Sequence, residues 1–197
     1  MRIDQLMLKA YLGDYSVGIF SVGMKLSEMW YFIPTIIVSS VFPKLFKLKN
    51  KSPKEFNDKV LILLRFLSFL SFLSIIFVSI FSKEIINLVF GSEYSESSLV
   101  LVIHIWTGIF VAYGIVSSNW YIANGIEKIV MYKTIYSAII CIILNVLFIP
   151  KYGVAGAALS TLLSQIYSNL LFELFNKNTR ELFILKINAL FLLKIKT

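Results

Sequence analysis

Lys25 and Glu28 stand three residues apart inside the apolar run Ser16–Phe42, in the order Lys25-Leu26-Ser27-Glu28. On a helix that spacing brings opposite charges within pairing reach. Ser21, Thr35 and Ser39 fall on the same face. A charge at the centre of a membrane helix costs roughly 2.5–3.5 kcal/mol on insertion scales, so such groups face a bundle interior or a water-filled cavity. The chemistry they offer is binding and charge compensation. Asp4 adds a carboxylate within the short apolar segment Ile3–Leu12. Arg65 lies about a turn and a half inside Val60–Ser82, above Ser68 and Ser71. Two readings stand for it: a cavity cation, or a side chain that snorkels to the nearer interface.

His104 shares a stripe with Thr107, Gly108, Gly114 and Ser118. It reads either as a hydrogen-bonded packing residue or as a proton relay. Gln165 and Asn169 join Ser160, Thr161, Ser164 and Ser168 on two adjacent ridges of four-residue spacing. Gly156, Ser160, Ser164 and Ser168 also form a ladder of small residues, which lets membrane helices approach closely. This polar side is therefore a packing ridge, a wet lumen wall, or both.

Other chemistries lack their residues. No Gly-rich phosphate loop or nucleotide motif occurs, which argues against a self-contained ATP-driven pump. One His and one Cys (Cys141) cannot make a metal cluster or an intrachain disulfide. The longest outside segment, Ser82–Ser98, has no His, Arg or Asp. The expectation is no catalytic residues, no metal, no cofactor and no enzyme activity.

The elements that carry these residues are membrane helices. The chain is 58% hydrophobic and 15% charged, against about half and about a quarter for soluble domains. A spanning helix needs about 20 mostly apolar residues. Five runs qualify: 16–42, 60–82, 99–122, 131–149 and 153–175; a sixth, 3–12, is shorter. The expected class is all-α, a polytopic helix bundle over residues 1–175, followed by a cytoplasmic or interfacial tail, 176–197, whose apolar part Leu182–Leu193 is broken by Lys186 and Asn188. The segment Pro43–Lys59 holds six Lys against one Glu and one Asp, and the positive-inside rule places it in the cytoplasm. Asn124–Lys133, with two Lys, and Asn176–Glu181, with Lys177 and Arg180, then also fall inside. Ser82–Ser98, with one Lys against three Glu, falls outside, as does Pro150-Lys151-Tyr152-Gly153, with Lys151 mildly against the pattern. Both chain ends are cytoplasmic in this topology. The net charge of +8 follows these loops, not a polar face, so no nucleic-acid partner is expected. The tetrad Pro150–Gly153 predicts a tight hairpin between two crossings. Pro34 predicts a bend near Thr35, a hinge or a static kink.

The order of motifs resembles the second half of bacterial O-antigen and polysaccharide flippases, members of the MATE-like multidrug/oligosaccharidyl-lipid/polysaccharide exporter superfamily. The resemblance is carried by Asp4, Leu12-Gly13, Val17-Gly18, Lys25-Leu26-Ser27-Glu28, Pro34 and Pro43, then by "LVFGSEYSESS" (Leu88–Ser98) and "LNVLFIPKYGVAGAALST" (Leu144–Thr161). It implies one six-helix lobe of a MATE-like fold that begins inside the family's seventh helix. The implied function is flipping of undecaprenyl-diphosphate-linked repeat units across the bacterial inner membrane by alternating access, with a missing N-terminal lobe, membrane lipid and polysaccharide polymerase machinery as partners. Lys25 and Arg65 are then the expected substrate cations, with Gln165 and Asn169 in the cavity wall. Asp4 and Glu28 tune the site, and with His104 are candidates for proton or ion coupling. The alternatives are a MATE-type drug/cation antiporter and an integral membrane polymerase or glycosyltransferase.

Overall fold

Lipid offers backbone N–H and C=O groups no partners, so apolar runs of this kind fold as helices. The computed structural model describes residues 3–191. These form α1 (Ile3–Leu12), α2 (Asp14–Met29), α3 (Phe32–Lys49), α4 (Pro53–Phe90), α5 (Ser97–Ile105), α6 (Thr107–Ala123), α7 (Lys128–Asn169) and α8 (Arg180–Leu190). Short 3-10 turns occupy Ser92–Tyr94 and Leu171–Leu174, and no strand occurs among the described residues. Four helical stretches are long and apolar enough to cross a membrane: Asp14–Lys49, Pro53–Phe90, Ser97–Ala123 and Lys128–Leu174. The chain is an all-α, multi-pass membrane protein.

Several elements differ from the sequence expectation. The run 16–42 is two helices broken at Trp30–Tyr31. Pro34 sits in the first turn of α3, where its missing N–H would leave the Trp30 carbonyl without its helical donor; Ile33 N–H takes that carbonyl at 3.1 Å instead. The run 99–122 is one helical stretch, Ser97–Ala123, as expected; α5 passes into α6 at Trp106, where the backbone keeps helical angles (φ −62°, ψ −24°). Residues 82–90, expected as loop, extend α4 past a distortion at Phe81 (φ −104°, ψ 15°) to Gly91 (φ 94°). The Lys-rich segment 43–59 is helical on both sides of a turn at 50–52. There Ser52 accepts the Glu55 N–H at 3.4 Å and Pro53 starts α4, so the helix restarts on its own cap.

The apolar stretch 128–169 reverses direction at Gly153, whose φ of 58° lies in the region that favours glycine. Ser137 Oγ donates to the Ser164 carbonyl at 3.2 Å and Lys133 Nζ to Asn169 Oδ1 at 3.0 Å, pairing two antiparallel limbs. A Cβ at Gly156 would strike the Phe148 carbonyl, so glycine lets the limbs meet.

Among the described residues two large apolar cores hold the bundle, and a smaller one, Val22, Ile86 and Leu101, joins α2, α4 and α5. Of the large cores, one joins α3, α4, α6 and α8 through Phe42, Phe56, Leu64, Tyr113, Trp120, Tyr121 and Leu182. The other joins α1, α2, α5 and α7 through Leu8, Phe20, Met24, Val100, Ile149 and Ala157. The tail helix α8 is part of the bundle: it buries Leu182, Leu185 and Ala189 together with Lys186 and Asn188. The two polar residues that made it read as an interfacial tail are thus among its inward ones. The remainder of the tail, 192–197, lies outside the described residues.

Candidate functional site

The first limb of α7 carries polar residues every fourth position: Lys133, Ser137, Cys141 and Asn145. The second limb presents the ridge Thr161, Gln165 and Asn169 beside the ladder Gly156, Ser160, Ser164 and Ser168. Four-residue spacing aligns each set along one helix face. Between these limbs, α1 and α6, lies a cavity of about 390 Å³ whose wall includes Asp4, Lys133, Ser137, Cys141, Gln165 and Asn169. Lys133 and Cys141 are eight residues apart, so the polar ridge runs about 12 Å along the cavity.

At one end stands Asp4, 4% exposed. Its Oδ1 accepts from Asn145 Nδ2 at 2.6 Å and from Cys141 Sγ at 3.1 Å. Asn145 Oδ1 is buried with no hydrogen-bond partner. At the other end stands Lys133, 5% exposed, its ammonium on Asn169 Oδ1 at 3.0 Å and 5.6 Å from the centre of the Tyr121 ring. Asn169 Nδ2 in turn donates to Gln165 Oε1 at 2.6 Å. Gly114 of α6 leaves the room Asn169 needs, since a Cβ there would collide with Asn169 Oδ1.

Behind Lys133 is a buried ion pair. Lys186 Nζ meets Glu173 Oε1 at 2.6 Å with both side chains fully buried. Ser117 Oγ and Tyr121 OH also donate to Glu173 Oε1, at 2.9 and 2.6 Å. Lys186 Nζ donates further to the Asn169 carbonyl at 2.6 Å. In α8, outside the spanning stretches, burial pushes the Lys186 ammonium below the usual lysine range, with the Glu173 charge and hydrogen bond opposing that shift.

The sequence-derived candidates divide by place. Asp4, Gln165 and Asn169 meet in the cavity. The polar side of the last crossing divides between a packed ladder and the cavity wall. Ser160 and Ser164 bond back to the Gly156 and Ser160 carbonyls at 2.9 and 2.7 Å on the buried ladder, while Thr161, Gln165 and Asn169 face the cavity. Lys25 is exposed and Glu28 half-buried on α2, and no ion pair joins these two described residues. Arg65 is half-buried on α4 and outside the cavity wall. His104 is buried, its Nδ1 2.7 Å from Ser27 Oγ, and thereby ties α5 to α2. Pro34 is buried at the start of α3. Sequence reasoning missed Lys133, counted there as a loop charge, and missed Asn145, Glu173 and Lys186. The four-residue recurrence of Lys133, Ser137, Cys141 and Asn145 was the signal that could have found the first two.

A sequence profile described as "Polysaccharide biosynthesis protein" matches residues 1–99, just over half of the 197. The capsular polysaccharide biosynthesis protein CapF of Staphylococcus aureus is 30% identical over 165 residues, covering 83% of this chain and 41% of that protein. The probable low-salt glycan biosynthesis flippase Agl15 of Haloferax volcanii is 25% identical over 163 residues, covering 82% and 34% respectively. The chain spans less than half the length of these relatives. No solved structure gave a significant match.

Proposed function

The chain belongs to the polysaccharide biosynthesis protein family, and from that premise we propose that it is a flippase lobe that moves undecaprenyl-diphosphate-linked O-antigen or other polysaccharide repeat units across the bacterial inner membrane. The observation that carries this reading is the polar cavity in the helix bundle, with buried Asp4 and Lys133 at its two ends. Burying charge in a membrane helix is costly, so a cavity of this kind supports a solute path.

In this reading a second lobe supplies the other wall of the translocation path, and the lobes rock about it by alternating access. Exposed Lys25 and half-buried Arg65 bind the acidic parts of the substrate from the face turned to that second lobe. Asp4, with Glu28 and His104, responds to the coupling proton or ion, and the break ahead of Pro34 is the hinge. Both chain ends are cytoplasmic, and polysaccharide polymerase machinery receives the product. The protein acts as a transporter and not as an enzyme.

One observation favours a cation antiporter as the second reading: Asp4 is a buried carboxylate in the cavity wall, and no lysine or arginine is ion-paired with it among the described residues. Expression with an N-terminal lobe in a flippase-null strain separates the two. The flippase reading expects surface polysaccharide to return; loss of rescue with the protein confirmed in the membrane rejects it, and drug resistance without polysaccharide selects the antiporter.

A further inference from the structure

The buried charges around the cavity do not balance locally. Two ammonium groups, Lys133 and Lys186, stand near one carboxylate, Glu173. That carboxylate is committed: its Oε1 takes Lys186 Nζ at 2.6 Å, Tyr121 OH at 2.6 Å and Ser117 Oγ at 2.9 Å. Lys133, 5% exposed, has an amide oxygen and a ring face as its partners, and no carboxylate at ion-pair distance among the described residues. Asp4 is at the far end of the cavity, bonded to Asn145 and Cys141. Buried charges are ordinarily paired, because an isolated ion in a low-dielectric site loses its hydration without compensation. Lys133 is therefore a buried cation with no carboxylate in direct contact among the described residues, and it opens onto a cavity of about 390 Å³.

We infer that Lys133 is the anchor of an oxyanion subsite inside the lobe, one that takes a phosphate or carboxylate group of the transported molecule. In naming the ligand the inference rests on the flippase reading; the site itself rests on the charge arrangement. Ser168 supplies a hydroxyl in the same wall, whereas the Thr134 and Ser137 hydroxyls donate to the Val130 and Ser164 carbonyls; an ammonium with a hydroxyl donor is a suitable set for an oxyanion. The cavity holds a single charged headgroup or sugar residue, not a repeat unit with its lipid. Asn169 is the placeholder: its Oδ1 holds Lys133 while its Nδ2 is anchored on Gln165 Oε1, and an anion takes the place of that amide oxygen on the ammonium.

The test uses the purified full chain in detergent, with binding read by calorimetry for inorganic phosphate, geranyl diphosphate and glucuronate, and with glucose and geraniol as uncharged controls. The expected result is binding of at least one anion, weakened about tenfold or more in Lys133→Gln, the loss that follows one charge-assisted contact, and retained in Lys133→Arg. The anion bound most tightly names the source: prenyl diphosphate a lipid headgroup, glucuronate an acidic sugar, phosphate a free ion. A second, near-isosteric variant covers misfolding of the first. Asn169→Asp places a carboxylate on Lys133 from within, so it should raise the thermal midpoint and abolish anion binding. No anion binding by the wild type, equal binding of the uncharged controls, or unchanged binding in Asn169→Asp overturns the inference. Those outcomes leave polysaccharide rescue intact, whereas failed rescue with anion binding intact rejects the flippase reading and keeps the subsite.

Discussion

At the scale of single residues, this protein concentrates its polar investment where sequence patterning is least informative. Glu173 and Lys186 are fully buried and bonded to each other and to Tyr121, Ser117 and the Asn169 carbonyl. Removing one partner of a buried pair strands the other, at a cost of about 3–5 kcal/mol. Glu173→Gln and Lys186→Met should each lower stability by that order in thermal unfolding of the detergent-solubilised protein, and the double variant should recover part of the loss. Equal losses that simply add would show that the two groups are not coupled. Lys25 and Arg65 behave differently, because neither sits in this network. Alanine at either is expected to reduce polysaccharide export without reducing membrane abundance when a second lobe is supplied, and normal export from both removes them from the substrate path.

At the scale of elements, the helix breaks decide where side chains point. The hairpin of α7 depends on Gly153 at φ 58° and on Gly156 against the Phe148 backbone. Alanine at Gly153 should cost of order 1–3 kcal/mol, the usual penalty for a strained backbone position. Valine at Gly156 should be worse, since its Cβ meets backbone that cannot rotate away. Both effects are readable as lower thermal midpoints, and an unchanged midpoint in Gly156→Val would show that the limbs do not meet as closely as described. The tetrad Pro150–Gly153 was legible as a turn because proline and glycine act locally. The local change in hydrogen bonding at Trp106, within the continuous stretch Ser97–Ala123, was not: Thr107 Oγ1 bonds the His104 carbonyl at 2.6 Å, a competition with the backbone that only side-chain geometry reveals.

At the scale of the whole molecule, the charge asymmetry of the connections makes an orientation testable. Glu93 follows Gly91 in the 3-10 turn, and Lys51 lies in the turn between α3 and α4. An alkaline phosphatase fusion at Glu93 should be active and one at Lys51 inactive; the reverse pattern inverts the topology. The two large apolar cores draw mainly on different helices, α3, α4, α6 and α8 against α1, α2, α5 and α7, with the cavity lined from α1, α6 and α7. That arrangement joins residues far apart in the chain: Asn145 Nδ2 reaches Asp4 Oδ1 across 141 positions.

The sequence alone determined the all-α class, the membrane setting and the family resemblance, because apolar length, lysine placement and motif order are one-dimensional properties that lipid reads directly. Asp4, Gln165 and Asn169 were recognisable as polar groups on helix faces that must avoid lipid, with packing and cavity wall both open for the last two. The tertiary structure decided which polar faces meet. A helix period aligns Lys133 with Asn145 and Lys25 with Glu28 equally well. Only packing turned the first pair of positions toward α1 and α6 and left Lys25 at the surface. Packing likewise turned Lys186 of α8 inward onto Glu173, because helix rotation is set by long-range contacts that no local pattern encodes.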